Sequence, residues 1–144
     1  MTNSGNSKTK KMRKVLFLCT GNSCRSQMAE AIVNARCPEW RTFSAGTQPA
    51  GFVHPMAIQV LREIGIEHKG SSKGVEQLRD EAFDLVVTVC DDANESCPVW
   101  LGKGARLHEG FRDPAKAQGT DEERLAVFRQ VRSEMLERIP PLLK

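Results

Sequence analysis

Residues 14–26, KVLFLCTGNSCRS, decide the fold, because a buried strand, a polar turn and the start of a helix follow one another there. The apolar run 14–19 is rich in strand-forming side chains, and the polar residues 20–23 end it. From Met28 onward, apolar side chains recur at helical spacing until Cys37-Pro38 stops them. The sequence therefore predicts a strand that leads through a tight loop into a helix.

The same succession of strand and helix continues along the chain. Further strands are predicted at 41–45, 83–90 and 105–108, and helices after Pro55 and after the Thr120 capping box. Strands that alternate with helices indicate an α/β fold, in which a parallel sheet of four strands carries helices on both faces. In such a sheet, ligands bind beyond the carboxyl ends of the strands, where the strand order reverses.

Composition and charge exclude several classes of protein. With 144 residues, 40% of them hydrophobic and 27% charged, the chain suits one soluble domain. No apolar run approaches the roughly 20 residues that span a bilayer, and none forms a secretory signal. The net charge of +3 comes from the first residues, so we predict a flexible basic tail at 1–12 and a single catalytic domain at 13–144. We expect a monomer that binds neither nucleic acid nor membrane.

The chain has five cysteines. Without a signal peptide they indicate a reducing compartment, where thiols serve chemistry or metal binding instead of structural disulfides. We therefore expect a cytoplasmic protein.

The loop 19–26 has the features of an oxyanion site with a nucleophile in it. Cys19 ends a strand and Arg25 opens a helix, so backbone N–H groups and a guanidinium converge on one point. The same field favours the thiolate form of Cys19, and Ser26 is placed to hydrogen-bond it. A buried cysteine at a tight turn is the alternative. The predicted anion-binding residues are Thr20, Gly21, Asn22, Ser23, Cys24, Arg25 and Ser26.

This loop, the sheet pattern and the pair Asp113-Pro114 resemble the low-molecular-weight tyrosine phosphatase superfamily across residues 14–139. Within it, residues 90–98, CDDANESCP, are similar to the cysteine-pair segment of the thioredoxin-coupled arsenate reductases. The resemblance implies a flavodoxin-like three-layer fold with strand order 2-1-3-4. It also implies the reduction of arsenate to arsenite.

The resemblance assigns roles to five residues, namely Cys19, Cys90, Cys97, Arg25 and Asp113. Cys19 attacks arsenate, Arg25 holds it and Asp113 supplies a proton; a Cys19–Cys90 disulfide then gives way to a Cys90–Cys97 disulfide, which thioredoxin or a similar dithiol reduces. A helical segment would keep Cys90 and Cys97 about 10.5 Å apart, beyond disulfide reach. We therefore predict that residues 90–97 unwind on oxidation.

Other interpretations stay open at this point. The same loop would suit a phosphatase that hydrolyses phosphomonoesters with water, or a non-enzymatic module that binds oxyanions or senses oxidation. The cysteine pair would suit a zinc site or two inert thiols, and Asp113 would suit a turn before proline. The tyrosine phosphatases usually have an aromatic residue after this Asp-Pro; Ala115 stands there, which disfavours a phosphotyrosine substrate.

The remaining candidates concern a cation and the other polar residues. Some reductases of this kind hold potassium with residues that match Asn22, Glu30 and Ser44, but the next ligand position is Lys73 here, so we expect no cofactor. We interpret Cys24 and Cys37 as packed on the first helix without a role in the chemistry. The histidines are predicted to be surface or capping residues; they are His54, His68 and His108.

Overall fold

A computed structural model describes residues 12–91, 100 and 102–143 of the chain. In these ranges lie the strands β1 (Arg13–Cys19), β2 (Trp40–Gly46), β3 (Leu85–Thr88) and β4 (Ala105–His108), and the helices α1 (Arg25–Arg36), α2 (Pro55–Arg62) and α3 (Asp121–Arg138). Short 3₁₀ helices occupy Val75–Leu78, Pro114–Lys116 and Pro140–Leu143. The predicted tail lies outside the described residues except for Met12, and so does most of the segment between Cys90 and Cys97.

The four strands form one parallel sheet in the order β2-β1-β3-β4, which confirms the predicted topology. Cys19 pairs with Gly46 across β1 and β2, and Thr88 pairs with both Leu18 and His108. All carboxyl ends therefore meet at one edge of the sheet. The predicted strand 83–90 is too long, because the ladder to its neighbours covers only β3.

Side chains of the central strand alternate between two buried clusters. Val15, Phe17 and Cys19 face a large core built from the apolar faces of α1, α2 and α3. Leu16 and Leu18 face a smaller core, which Leu78, Phe83 and Trp100 help to form. Both faces of the sheet are thus covered, as its continuous apolar strands require.

The helices α2 and α3 begin where side chains satisfy free backbone donors, whereas α1 has no side-chain cap. His54 caps α2 by accepting a hydrogen bond from Met56 N, and Pro55 follows at the first position. Thr120 and Glu123 form the predicted capping box of α3. None of the helices in the described part of the chain is long and apolar enough to cross a bilayer.

Candidate active site

The loop between β1 and α1 turns its carbonyl groups outward. The carbonyl oxygens of Thr20, Gly21 and Ser23 accept hydrogen bonds from backbone N–H groups of residues 48, 50 and 54, at 2.9–3.0 Å, and Gln27 Nε2 donates to Asn22 O. Across a trans peptide the N–H group points away from the carbonyl. The N–H groups that follow these carbonyls are therefore directed into the loop, as in anion-binding loops of other proteins. Anion binding by this loop stays a prediction.

Cys19 lies at the centre of this loop and is 2% exposed. Its sulfur accepts a hydrogen bond from Asn22 N at 3.3 Å and lies 3.0 Å from Ser26 Oγ. Ser26 Oγ accepts from Asn22 Nδ2 at 2.7 Å, so its own hydroxyl proton is free to point at the sulfur. In its thiolate form Cys19 could only accept, and the Asn22 N–H group and the Ser26 hydroxyl are both within reach to donate to it.

The turn depends on two residues with special backbone requirements. Asn22 is buried and has a φ of +48°, in the left-handed region that few side chains adopt. Gly46, which pairs with Cys19, lies so close that a side chain on it would overlap Thr20 O and approach Asn22 N. The loop therefore needs a glycine on the neighbouring strand, and it needs contacts that hold Asn22 in place.

Arg25 and Asp113 come together at the mouth of the loop. Arg25 is 4% exposed and donates to Phe111 O at 3.2 Å. Its Nη2 lies 3.6 Å from Asp113 Oδ2. Asp113 Oδ1 accepts from Ala115 N at 3.0 Å and so caps the 3₁₀ helix Pro114–Lys116. Asp113 thus caps the turn with one carboxylate oxygen and faces Arg25 with the other, so its turn role does not use the oxygen nearest the cavity's guanidinium.

A cavity of about 220 Å³ opens above the loop, and its size suits a small oxyanion. Cys19, Arg25 and Asp113 all line it, as the sequence predicts. Its walls also include residues that the motif did not identify, among them His54 and the half-exposed Phe52. The remaining lining residues are Gly21, Ser23, Cys24, Ala50 and Ala115.

Cys24 and His54 line the same cavity but are held neutral. Burial is the main reason that the pKa of the Cys24 thiol rises to about 12, and the charges of Asp113 and Cys19 add to this. Burial also lowers the pKa of His54, with a further contribution from Arg124, while Asp113 opposes the shift. Near pH 7, the Cys24 thiol thus remains protonated, in keeping with the interpretation that it takes no part in the chemistry.

Cys90 belongs to the same buried cluster as Cys19, in the core under the helices. It is disulfide-bonded, whereas Cys19, Cys24 and Cys37 are free thiols. The partner sulfur therefore lies outside the described residues, as does Cys97. Within the described ranges, no group of three or more His, Cys, Asp and Glu side chains is arranged to hold a metal ion.

The residues matched to a potassium site make other bonds. Asn22 Oδ1 accepts from Gln27 Nε2 at 2.9 Å and from Lys73 N at 2.8 Å. Ser44 Oγ donates to Glu30 Oε1 at 2.5 Å. The Lys73 ammonium donates to Ser71 O instead of pointing between these groups. Asn22 Oδ1 and Ser44 Oγ thus have hydrogen-bond partners within the protein, and the absence of bound potassium stays a prediction.

Two supporting residues could not be found from the motif. Arg138, on α3, forms an ion pair with Glu109 at 2.8 Å, donates to Gly110 O at 2.7 Å and stacks over the Phe111 ring. It thereby fixes the segment whose carbonyl binds Arg25. The second supporting residue, Gln27, donates hydrogen bonds from Nε2 to the carbonyl and to the side-chain oxygen of Asn22. A glutamine one position after the loop and an arginine in a charged helix carry no signal in a single sequence, because each resembles an ordinary surface residue.

Comparison with known proteins agrees with this geometry. The family model of the low molecular weight phosphotyrosine protein phosphatases matches residues 14–144. An arsenate reductase of Halalkalibacterium halodurans is 48% identical over 127 residues, which are 87% of this chain and 91% of that protein. An arsenate reductase of Bacillus subtilis is 43% identical over 128 residues, with the same coverage. The crystal structure of an Archaeoglobus fulgidus arsenate reductase superposes with a TM-score of 0.75 and 35% identity, covering 89% of this chain and 97% of that one. The chain therefore belongs to the low molecular weight phosphotyrosine protein phosphatase family.

Proposed function

We propose that the protein is an arsenate reductase that uses Cys19 as nucleophile and is regenerated by thioredoxin or a similar dithiol protein in the cytoplasm. One observation carries the proposal. A second, disulfide-bonded cysteine, Cys90, belongs to the same buried cluster as the cysteine of the oxyanion loop. Hydrolysis of a phosphate ester requires no second thiol, whereas reduction of arsenate requires two electrons, which two thiols provide when they form a disulfide. The names of the relatives agree with this choice.

The first step forms a bond between sulfur and arsenic. The loop N–H groups and Arg25 bind arsenate, and the Cys19 thiolate attacks the arsenic atom. One arsenate oxygen leaves as water after it accepts a proton from Asp113, whose carboxyl lies at the cavity mouth. The arsenic is still pentavalent at this stage, and it is covalently held by Cys19.

The second step transfers the electrons. The Cys90 sulfur attacks Cys19 and forms a disulfide, and the electron pair of the broken sulfur–arsenic bond goes to arsenic, which leaves as arsenite. Cys97 then attacks Cys90, which frees Cys19 as a thiolate and leaves a Cys90–Cys97 disulfide. An external dithiol reduces that disulfide and completes the cycle. The net change is one arsenate reduced to arsenite and one dithiol oxidised to a disulfide.

The test compares Cys90→Ser with Cys37→Ser as the matched control. Cys37 is a free, buried thiol at the end of α1 with no place in the reaction. Fully reduced protein is mixed with arsenate, and arsenite release and free thiols are measured. We expect wild type and Cys37→Ser to release one arsenite and lose two thiols per chain, and Cys90→Ser to release none. Unchanged thiols in the wild type, together with hydrolysis of an aryl phosphate that survives Cys90→Ser, would establish a phosphatase instead.

A further inference from the structure

His54 lines the cavity above the nucleophile loop but takes no part in the steps above. Its backbone N–H group donates to Ser23 O at 3.0 Å, which ties the residue to the loop itself. Its side-chain Nδ1 accepts a hydrogen bond from Met56 N at 3.1 Å and so caps α2. The backbone of His54 is thus held by the loop, and one nitrogen of its ring is held by the helix.

The cap determines which nitrogen of the imidazole carries the hydrogen. A ring nitrogen that accepts from a backbone N–H group has no hydrogen of its own, so Nδ1 is the unprotonated nitrogen. Burial and the charge of Arg124 lower the pKa of His54, while Asp113 opposes the shift, so the ring is neutral near pH 7. A neutral imidazole keeps one hydrogen, which therefore lies on Nε2. His54 Nε2 can only donate.

This donor is available to a ligand. In the part of the chain that the structure describes, no protein group forms a hydrogen bond with His54 Nε2, and solvent reaches the atom. The buried Phe128 packs against the imidazole with ring centroids 4.9 Å apart, which together with the bond at Nδ1 fixes the ring. Since the ring lines the cavity and Nδ1 is turned to the helix, Nε2 is the polar atom that it presents to a molecule bound there.

The outer part of the cavity needs such a donor. A tetrahedral oxyanion that the loop holds has one oxygen that points away from the loop. The outer wall is formed largely by the apolar side chains of Ala50, Phe52 and Ala115, which offer no donor to that oxygen. Asp113 donates only in its protonated form, whereas the His54 N–H group is present throughout the neutral pH range.

We propose that His54 is a binding residue for the oxyanion: its Nε2–H group donates to the oxygen that points away from the nucleophile loop, on the side of Asp113. The proposal rests on the proposed function for the identity of the oxyanion, and it adds a contact to the oxygen that leaves as water. A fixed donor at this position holds the oxygen beside the acid and stabilises the charge on it until the proton arrives.

The test separates the cap from the donor. His54→Asn keeps the cap, because the asparagine Oδ1 takes the place of Nδ1, but its amide is too short to reach the position of Nε2. His54→Ala removes both. Reduced full-length protein is titrated with inorganic phosphate, a non-reducible analogue of arsenate, by calorimetry at pH 7.5 or so, and the melting temperature is measured alongside.

We expect both variants to bind phosphate at least about tenfold more weakly than the wild type, the effect of one hydrogen bond to a charged group. The kcat/KM for arsenate should fall by at least the same factor in both. Only His54→Ala should also lose thermal stability, with a melting temperature lower by about 4 °C, because it alone lacks the cap.

A purely structural role of His54 gives a different pattern. His54→Asn would then match the wild type in every measurement, and that result would overturn the proposal, as would a wild-type chain that does not bind phosphate. Failure of the proposed function is distinguishable from both, because arsenate would then release no arsenite from the wild type while the phosphate affinities of wild type and variants still differed.

Discussion

Replacing Ser26 by alanine tests the electrostatics of the loop most directly. Ser26 Oγ accepts from Asn22 Nδ2 and lies 3.0 Å from Cys19 Sγ. Because a thiolate can only accept, the Ser26 hydroxyl would donate to Cys19 in that form. A hydrogen bond to a charged group contributes about 1.5–3 kcal/mol. Its loss corresponds to a drop of about one to two powers of ten in any rate that depends on the Cys19 thiolate. Ser26→Ala also leaves the buried Asn22 amide without its acceptor, which costs a further 1–3 kcal/mol of stability, roughly.

The assay is a single turnover of reduced protein with arsenate, together with the free energy of unfolding in urea. Thr42→Val is the matched control, because Thr42 Oγ1 is a buried hydroxyl without a hydrogen-bond partner in the described structure. We expect Ser26→Ala to lose both rate and stability and Thr42→Val to lose neither. A Ser26→Ala protein that turns over at the wild-type rate would refute the reasoning, since Cys19 would then not need the hydroxyl.

Three further predictions concern the acid, the surface charges and the cation. Asp113→Asn removes the proton donor, and we expect kcat for arsenate to fall about 10²- to 10⁴-fold while phosphate still binds by calorimetry. The pKa of Glu63 is lowered to about 2 by its hydrogen bonds to Arg129 and Arg132; this stabilisation is present at neutral pH and is lost as the pH falls from about 4.3 to about 2. Glu63→Gln should therefore lower the free energy of unfolding by about 1 kcal/mol at pH 7, after allowance for partial exposure. When unfolding in urea is measured at a series of pH values, the variant should lose less stability than the wild type as the pH falls. Exchanging potassium for sodium should leave kcat unchanged, because the Gln27 amide faces the Asn22 oxygens; a clear dependence on potassium would contradict that arrangement.

The central part of the site could be predicted because its residues are contiguous. Cys19, Arg25 and the residues between them span seven positions, and the strand, loop and helix around them follow from local patterns. Asp113 follows β4, whose carboxyl end lies at the same edge of the sheet, and it lines the same cavity as Cys19. Local sequence, together with the rules for parallel sheets, thus suffices for the residues that the motif itself contains.

The supporting residues could not be predicted, because they come from distant parts of the chain. Gln27 and His68 are 41 positions apart, and their contact depends on how the backbone at Gly70 packs against α1. Arg138 reaches the segment at 109–111 only because α3 lies across the core. Polar contacts of this kind have no periodicity in the sequence, so only the packed structure reveals them.

The end of β3 explains why Cys90 lies in the same core cluster as Cys19. Leu18 pairs with Thr88, so Cys19 and Val89 stand side by side, and regular alternation would place Cys90 with Val86 in the smaller core on the opposite face. Instead, Cys90 lies in the larger core with Cys19. The chain has therefore left strand geometry after Thr88, which is why the predicted strand 83–90 ends early.

This departure bears on the proposed chemistry. A cysteine inside a regular strand has its side chain fixed to one face of the sheet. Cys90 comes two positions after Thr88, the last paired residue of β3, and lies on the same face of the sheet as Cys19. The backbone around it is held from the next segment, since Phe111 N donates to Val89 O and Phe111 O accepts from Arg25. Phe111 is thus hydrogen-bonded both to the Arg25 guanidinium and to the backbone at Val89, which precedes Cys90. A hydrolase on this scaffold needs only a positioned guanidinium. An enzyme that ends its reaction with a disulfide also needs a positioned second cysteine.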